Sequence, residues 1–360
     1  MLVLVSGCGR SEPRAITIGD GMPRPNGPKS FVGFVWKSVT DGTNLNLQLK
    51  GWSSGDDVTN RSESAQAEVF VSRPDVVAVV GHAGSKGSMI AASVYQGVGM
   101  PLVVPTATSS KLRASSNLVF MLSPTDSVEG AFIANQALDS LAARRIAVVY
   151  VADAYGTGIR DGVEAQLTLR RSALAGELAL AGKECVSSGN LSMRGVARAL
   201  LARAHPDLVV VATSTGQAAC FIEQVRAVDS RVKILAADSF EPAHWRVAKL
   251  SGGQRSGVYF VDFWDAERDS RSRDFARNVR EALHREPLTG EALNYDAYQV
   301  LIAAIKEGHR TRESIAQWLR QLGTVGHPSF PGVTGSISFN IPRSDILYLR
   351  RLPAATAARP

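Results

Sequence analysis

Cysteine is scarce, 3 in 360 residues, and none stands in a Cys-x-x-Cys pair. That excludes a disulfide-dense scaffold. The six histidines form no His-Glu-x-x-His or related spacing, so the pattern predicts no metal site, and no cofactor. No apolar run reaches the roughly 18 residues that a membrane-spanning helix needs. Aromatic residues are only 7% of the chain, and no basic stripe is interleaved with them. The net charge of +7 and pI near 9.5 come mostly from arginines scattered among acids, as in "ERDSRSRDFARNVR". Nucleic acid is therefore not an expected partner. Nucleotide and hydrolase motifs are missing too. In "GHAGSKG" Lys86 precedes Gly87 instead of following the second glycine of a phosphate loop. The first strand leads into "IGDGMPRPNG", whose glycines are wrongly spaced for a dinucleotide turn and whose prolines block helix entry. No Gly-x-Ser-x-Gly elbow is present, so Ser85 lacks the strained turn of a hydrolase nucleophile. The expectation is a non-enzyme, with a nucleotide-dependent enzyme as a remote alternative.

What is present is a recurring alternation of strand and helix. Apolar runs occur at "AITIG" (15–19), "LNLQLKGW" (45–52), "DVVAVVG" (75–81), "PLVVP" (101–105), "RIAVVYV" (145–151), "DLVVVAT" (207–213), "VKILAAD" (232–238) and "GVYFVDF" (257–263). Continuous rather than alternating hydrophobicity suits strands buried on both faces of a parallel sheet. Helical spacing links Phe221, Ile222, Val225 and Val228, and likewise Ile90, Val94 and Val98. Helices are also predicted near 271–285, 291–307 and 311–322. A chain of 360 residues favours two cores over one. The predicted fold class is α/β: two doubly wound, mainly parallel-sheet lobes joined by several short crossings. Expected boundaries are 15–125 with 258–335 for the first lobe and 126–257 with 336–352 for the second. Residues 1–14 form a tether and 353–360 a frayed tail.

In such sheets ligands sit beyond the carboxyl ends of strands, beside helix N-termini that favour negative charge. Two hydroxyl-rich clusters fall at those positions. Gly84, Ser85, Lys86 and Gly87 follow the run ending at 81, and Thr106, Ala107, Thr108, Ser109 and Ser110 follow "PLVVP". Helix capping alone accounts equally well for any single one of these hydroxyls. Two adjacent loops of the same kind favour a shared carboxylate.

"VVAVVGHAGSKGSMIAASVYQGVGMPLVVPTATSSKL" and "FMLSPTDSVEG" resemble the first lobe of type I periplasmic solute-binding proteins, specifically the branched-chain amino acid receptor family of ABC importers. "IAVVYVADAYGTGIRDGVEAQL", "PDLVVVATSTGQAACFIEQVR" and "KILAADSF" resemble its second lobe. The resemblance is specific from about residue 70 to 262 and poor before that. It implies a small amino acid or related metabolite bound between the lobes, a membrane permease as partner, and a monomer. Ser85, Thr106 and Thr108 match positions that hold the ligand carboxylate and part of its ammonium. Asp238 matches the acid that pairs with the ammonium, and Tyr155 an aromatic that closes over the ligand. Ser214 stands where relatives often carry an aromatic, so a smaller hydroxyl replaces that contact. The 20–46 stretch is shorter than usual, and Arg24 or Lys29 within it reach either ligand or solvent. "MLVLVSGCGR" resembles a bacterial lipoprotein cleavage box, which implies lipidation at Cys8 and an envelope or periplasmic location. Cys185 and Cys220 are left either to pair or to remain buried thiols. A sensory or regulatory envelope lipoprotein of the same fold is the alternative function.

Overall fold

The computed structural model describes residues 15–22, 31–51, 63–82, 84–180 and 191–353. Cys8, Arg24, Lys29 and Cys185 lie outside them, as do residues 354–360 of the expected tail.

Two parallel sheets carry the fold. Strands β1 (Ile16–Asp20), β2 (Leu47–Gly51), β3 (Val76–Val80), β4 (Leu102–Val104) and β5 (Val119–Met121) form the first, in the order β2-β1-β3-β4-β5. β1 and β3 are buried at every position, as continuous Val/Ile runs require when helices cover both faces. The second sheet has the order β13-β10-β9-β8-β6-β7, from β6 (Ile146–Val151), β7 (Gly176–Leu180), β8 (Leu208–Ala212), β9 (Lys233–Ala236), β10 (Val258–Asp262) and β13 (Tyr348–Arg351). Only β13 runs antiparallel there, against β10. A hairpin of β11 (Phe330–Gly332) and β12 (Gly335–Ile337) stands apart.

β10 corrects the expected boundary. The sequence pattern places residues 258–262 in the first lobe, yet Val258 and Tyr259 pair in parallel with Ile234 and Leu235 of β9. The chain therefore leaves the second sheet after β10, not before it, and returns for β13. An apolar run satisfies either sheet equally, so hydropathy did not record which one it joins.

Helices cover these sheets. α1 (Phe31–Thr40), α2 (Glu63–Val71), α3 (Ser85–Gln96) and α4 (Ser110–Ser115) alternate with the first sheet's strands. α5 (Asp126–Asn135), which continues as a wider π turn to Ser140, packs on α6 (Ala154–Leu169). The contact is glycine-lined: a Cβ on Gly130 would lie 2.7 Å from the Gly162 carbonyl carbon. α7 (Leu191–Ala204) and α8 (Thr215–Arg226) flank β8. After the short α9 (Trp245–Ala248) and α10 (Gly252–Arg255), three longer helices follow: α11 (Ser270–Leu283), α12 (Thr289–Lys306) and α13 (Arg312–Gln321). α12 packs on α1 and β3, and α13 on β3, so this stretch does return to the first sheet. Buried Asp296 of α12 accepts the Val333 and Thr334 amides at 2.7 and 2.9 Å, which pins the β11–β12 hairpin to the helix.

α3 forms where the spacing of Ile90 and Val94 predicts a helix, but it buries a different face. Ile90 and Val98 are among the exposed large hydrophobics, while Ser88, Ala91, Ala92 and Tyr95 are buried. Small side chains let this helix lie close to its neighbours, and α3 ends before Val98 is reached. The stripe on α8 is better: Phe221, Ile222 and Val225 are buried, and Val228 beyond the helix end is exposed. Cys220 of α8 is disulfide-bonded to a partner outside the described residues, so the free-thiol alternative does not hold for it.

Candidate ligand-binding cleft

The first wall is built by two strand-to-helix turns. β3 leads through Gly84, whose φ of 73° suits glycine, into α3 with Ser85 as its first residue. β4 leads through Thr106 and Thr108 to α4, whose N-cap is Ser109. Neither N-cap residue, Gly84 or Ser109, caps its helix with a side chain. Ser85 Oγ instead accepts the Ser109 amide at 3.3 Å and ties the two turns together, leaving its hydroxyl hydrogen available. The Thr108 carbonyl accepts the Asp126 amide at 2.7 Å, and the Ala107 carbonyl accepts the Ser123 hydroxyl at 2.6 Å. Thr106 is half-buried, and its methyl faces the start of α12 at Gly290.

The second wall is acidic. Tyr155, in the first turn of α6, donates to Asp238 Oδ1 at 2.7 Å just past β9. The Asp238 amide donates to Glu129 Oε1 at 2.7 Å, and Glu129 has no exposed surface. Its Oε2, like Oδ1 of buried Asp126, has no hydrogen-bond partner. Burial pushes the Asp126 carboxyl up to about 7, with Asp238 and Asp153 adding to the rise and the Thr108 hydroxyl opposing it. Burial, followed by the nearby Asp238 charge, holds Glu129 well above the usual carboxylate range. Burial also raises Asp238, while the Tyr155 hydroxyl works against it. Like charges this close disfavour full ionisation, and a cation placed among them would relieve it.

All six residues singled out from the sequence, Ser85, Thr106, Thr108, Tyr155, Ser214 and Asp238, line one cleft of about 1030 Å³ between these walls. Ser214 differs from the rest. It is the N-cap of α8, and its hydroxyl donates to Gln217 Oε1 at 2.9 Å within a capping box, so it reaches the cleft with its donor already engaged. Sequence reasoning missed Asp126 and Glu129, which sit behind the wall, and the lining supplied by Glu241, Asp262, Trp264 and Thr289. For Asp262 and Trp264 a signal exists: Asp262 closes and Trp264 follows the strand at the carboxyl end of an apolar run, the rule that also singles out Ser85.

An interlobe cleft at the carboxyl ends of two parallel sheets, with hydroxyls on one wall and carboxylates on the other, defines a two-lobed small-molecule binding protein. The chain belongs to the periplasmic binding protein family, whose model matches residues 52–343. An amino acid binding protein of Pseudomonas aeruginosa is 26% identical over 163 residues, 42% of this chain and 43% of that protein. A Leu/Ile/Val-binding protein of Citrobacter freundii is 27% identical over 31% of each chain. The chain thus aligns with less than half the length of these relatives. Among solved structures, an ABC transporter substrate-binding protein from Desulfitobacterium hafniense superposes with a TM-score of 0.77 at 22% identity, covering 95% of this chain and 99% of that one. A branched-chain amino acid transporter substrate-binding protein from Streptococcus pneumoniae, in complex with isoleucine, gives 0.74 at 20% identity, covering 96% and 98%. A solute-binding protein from Rhodopseudomonas palustris, in complex with 3,4-dihydroxybenzoic acid, gives 0.72 at 14% identity, covering 94% and 93%. At these identities the likeness is one of fold. Among the described residues no helix is long and apolar enough to cross a membrane.

Proposed function

We propose that this chain captures a small α-amino acid or a close relative in the interlobe cleft and presents the closed form to the membrane permease of an ABC importer. The single supporting observation is the facing of two walls of opposite character in one cleft. Ser85 keeps a donor directed by a helix N-terminus, and across from it Asp238 stands in a carboxyl cluster whose described neighbours include no cationic partner for it. A zwitterion satisfies both walls at once: its carboxylate takes hydroxyls and helix-end amides, and its ammonium pairs with Asp238 and the Tyr155 edge. A plain carboxylic acid would leave the second wall unpaired, which is costly in a closed cleft. Closure by rotation of the lobes would exclude water and bring Tyr155 over the guest.

Within this reading Ser85, Thr106 and Thr108 hold the carboxylate, Asp238 the ammonium, and Tyr155 positions Asp238, while Ser214 shapes the wall. The crossings after β5, after β10 and before β13 serve as hinge, with the first lobe on the first sheet and the second lobe extended to include β10. Lipidation at Cys8 would tether the receptor at the envelope; incorporation of labelled palmitate, lost in Cys8→Ser, tests that. Calorimetry against a panel of amino acids and aromatic acids tests the receptor reading. The expected outcome is saturable binding of at least one α-amino acid, strongly weakened in Asp238→Ala. Binding unchanged in both Asp238→Ala and Ser85→Ala would remove the site assignment.

A further inference from the structure

The chain is basic, yet its cleft is lined by Asp153, Asp238, Glu241, Asp262, Asp265 and Glu286 against only Lys86 and Arg350. Most of these acids have partners. Asp153 caps α6 by accepting the Gly156 amide at 2.9 Å. Asp262 and Asp265 face Arg350 at 4.0 and 3.3 Å, and Glu286 pairs with Arg280 at 2.8 Å. Three have no cation among the described residues: Asp153, taken up by the helix cap, Asp238, assigned above to the ammonium of the head group, and Glu241.

Glu241 is held in place. Its amide donates to Thr215 Oγ1 at 3.1 Å, Thr215 in turn donates to the Ser239 carbonyl at 2.6 Å, and Glu241 Oε1 accepts the Ala243 amide at 2.9 Å. Burial raises its carboxyl above the usual range, and the charges of Asp262 and Glu291 add to the effect. The cleft walls near it are apolar: Phe240, Phe260, Trp264 and Leu293 all line it. Independently, buried Glu129 behind Asp238 leaves Oε2 without a hydrogen-bond partner.

We infer that the guest is a basic α-amino acid, whose methylene stem lies against Phe240, Phe260 and Trp264 and whose terminal ammonium or guanidinium pairs with Glu241. The inference rests on the head-group assignment made above and adds the tail. A neutral aliphatic tail would leave Glu241 desolvated and unpaired on closure, whereas a terminal cation converts that cost into a charge-assisted hydrogen bond. Specificity would then come from the penalty on the wrong tail as much as from the reward for the right one.

Lysine and norleucine share the same stem and differ in the terminal ammonium, so they form the deciding pair. Titration calorimetry of the full chain with L-lysine, L-arginine, L-norleucine and L-leucine should show lysine or arginine bound at least about 10-fold more tightly than norleucine. Glu241→Gln should remove that preference by a similar factor, weakening lysine and arginine and strengthening norleucine, whose tail then desolvates no carboxylate, and saturable norleucine binding also verifies that the variant is folded. If norleucine or leucine binds as tightly as lysine and arginine, or if Glu241→Gln leaves the preference intact, the tail assignment is overturned while the amino acid receptor reading stands. If none of the four binds, both fall.

Discussion

The two walls of the cleft solve the same problem, holding one end of a small polar guest, by opposite means. The first uses neutral groups: hydroxyls of Ser85, Thr106 and Thr108 set at strand ends where α3 and α4 begin, with Ser85 Oγ linking the two turns. The second uses carboxyls stacked behind one another, Asp238 in front and Glu129 and Asp126 behind, carried by the start of α5 and steadied by Tyr155 of α6. A neutral wall costs little to build and keeps its shape when empty. An acid wall stores repulsion, so it depends on its guest and on its support. Substitutions on the two walls should therefore differ in size and in kind.

The largest effect is expected at the front of the acid wall. Asp238→Ala removes the group proposed to meet the ammonium and leaves the Tyr155 hydroxyl without its acceptor. Calorimetry should show a loss of about 3–4 kcal/mol in binding, several hundred-fold, because truncating one partner of a desolvated charge pair strands the other. Next comes the support. Gly130→Ala places a methyl 2.7 Å from the Gly162 carbonyl carbon, where backbone cannot yield as a side chain end would. Thermal unfolding should report about 2–3 kcal/mol of destabilisation. Gly97→Ala, whose added Cβ meets nothing nearer than 3.7 Å and whose φ is −61°, should be neutral by comparison.

The third test is electrostatic and concerns the repulsion itself. A carboxyl raised to about 7 in the fold and near 3.8 when unfolded binds more protons in the native state between those values. Stability of the empty receptor should then fall as pH rises from 5 through 7, by about 2 kcal/mol for this group. Asp126→Asn should flatten that dependence and raise the melting temperature at pH 8 while changing little at pH 5. A slope unchanged in Asp126→Asn would mean that the repulsion resides elsewhere, with Glu129 the next candidate.

The two walls also differed in how readable they were. The hydroxyl wall lies in local sequence: small polar residues directly after buried Val runs, a pattern fixed by the strand-to-helix turn itself. The front of the acid wall was legible for the same reason, since Asp238 ends "KILAAD". Its depth was not. Glu129 and Asp126 occupy the first turn of α5, where acids are favoured at any exposed helix start, so their type carries no sign of burial. The close approach of α5 to α6 through Gly130 and Gly162 and the packing of Asp238 over Glu129 are tertiary facts that helix-start composition does not record. Strands told the same story. β3 and β8, buried throughout, are evident as apolar runs, while the edge strand β7, half-buried and exposed in turn along "GELAL" until Leu180, offers no such run. β10 is legible as a strand from its apolar run, but which sheet it joins, and hence the lining at Asp262 and Trp264, is not.

The smallest effect belongs to the neutral wall, and it is the sharpest test of whether that wall binds anything. Ser85→Ala deletes a hydroxyl donor proposed to meet the guest and also strips the Ser109 amide of its acceptor. A purely structural serine would show its loss in the melting temperature of the empty protein and leave affinity untouched. A ligand-holding serine should cost about 1 kcal/mol, or 5- to 10-fold, in affinity on top of any thermal shift. Because the deleted group is uncharged, that loss should be nearly independent of salt, whereas the loss in Asp238→Ala should shrink as salt screens the approach of a cationic head group. Equal salt dependence in the two variants would mean that the walls are not opposite in character, and the comparison on which the receptor reading is built would no longer hold.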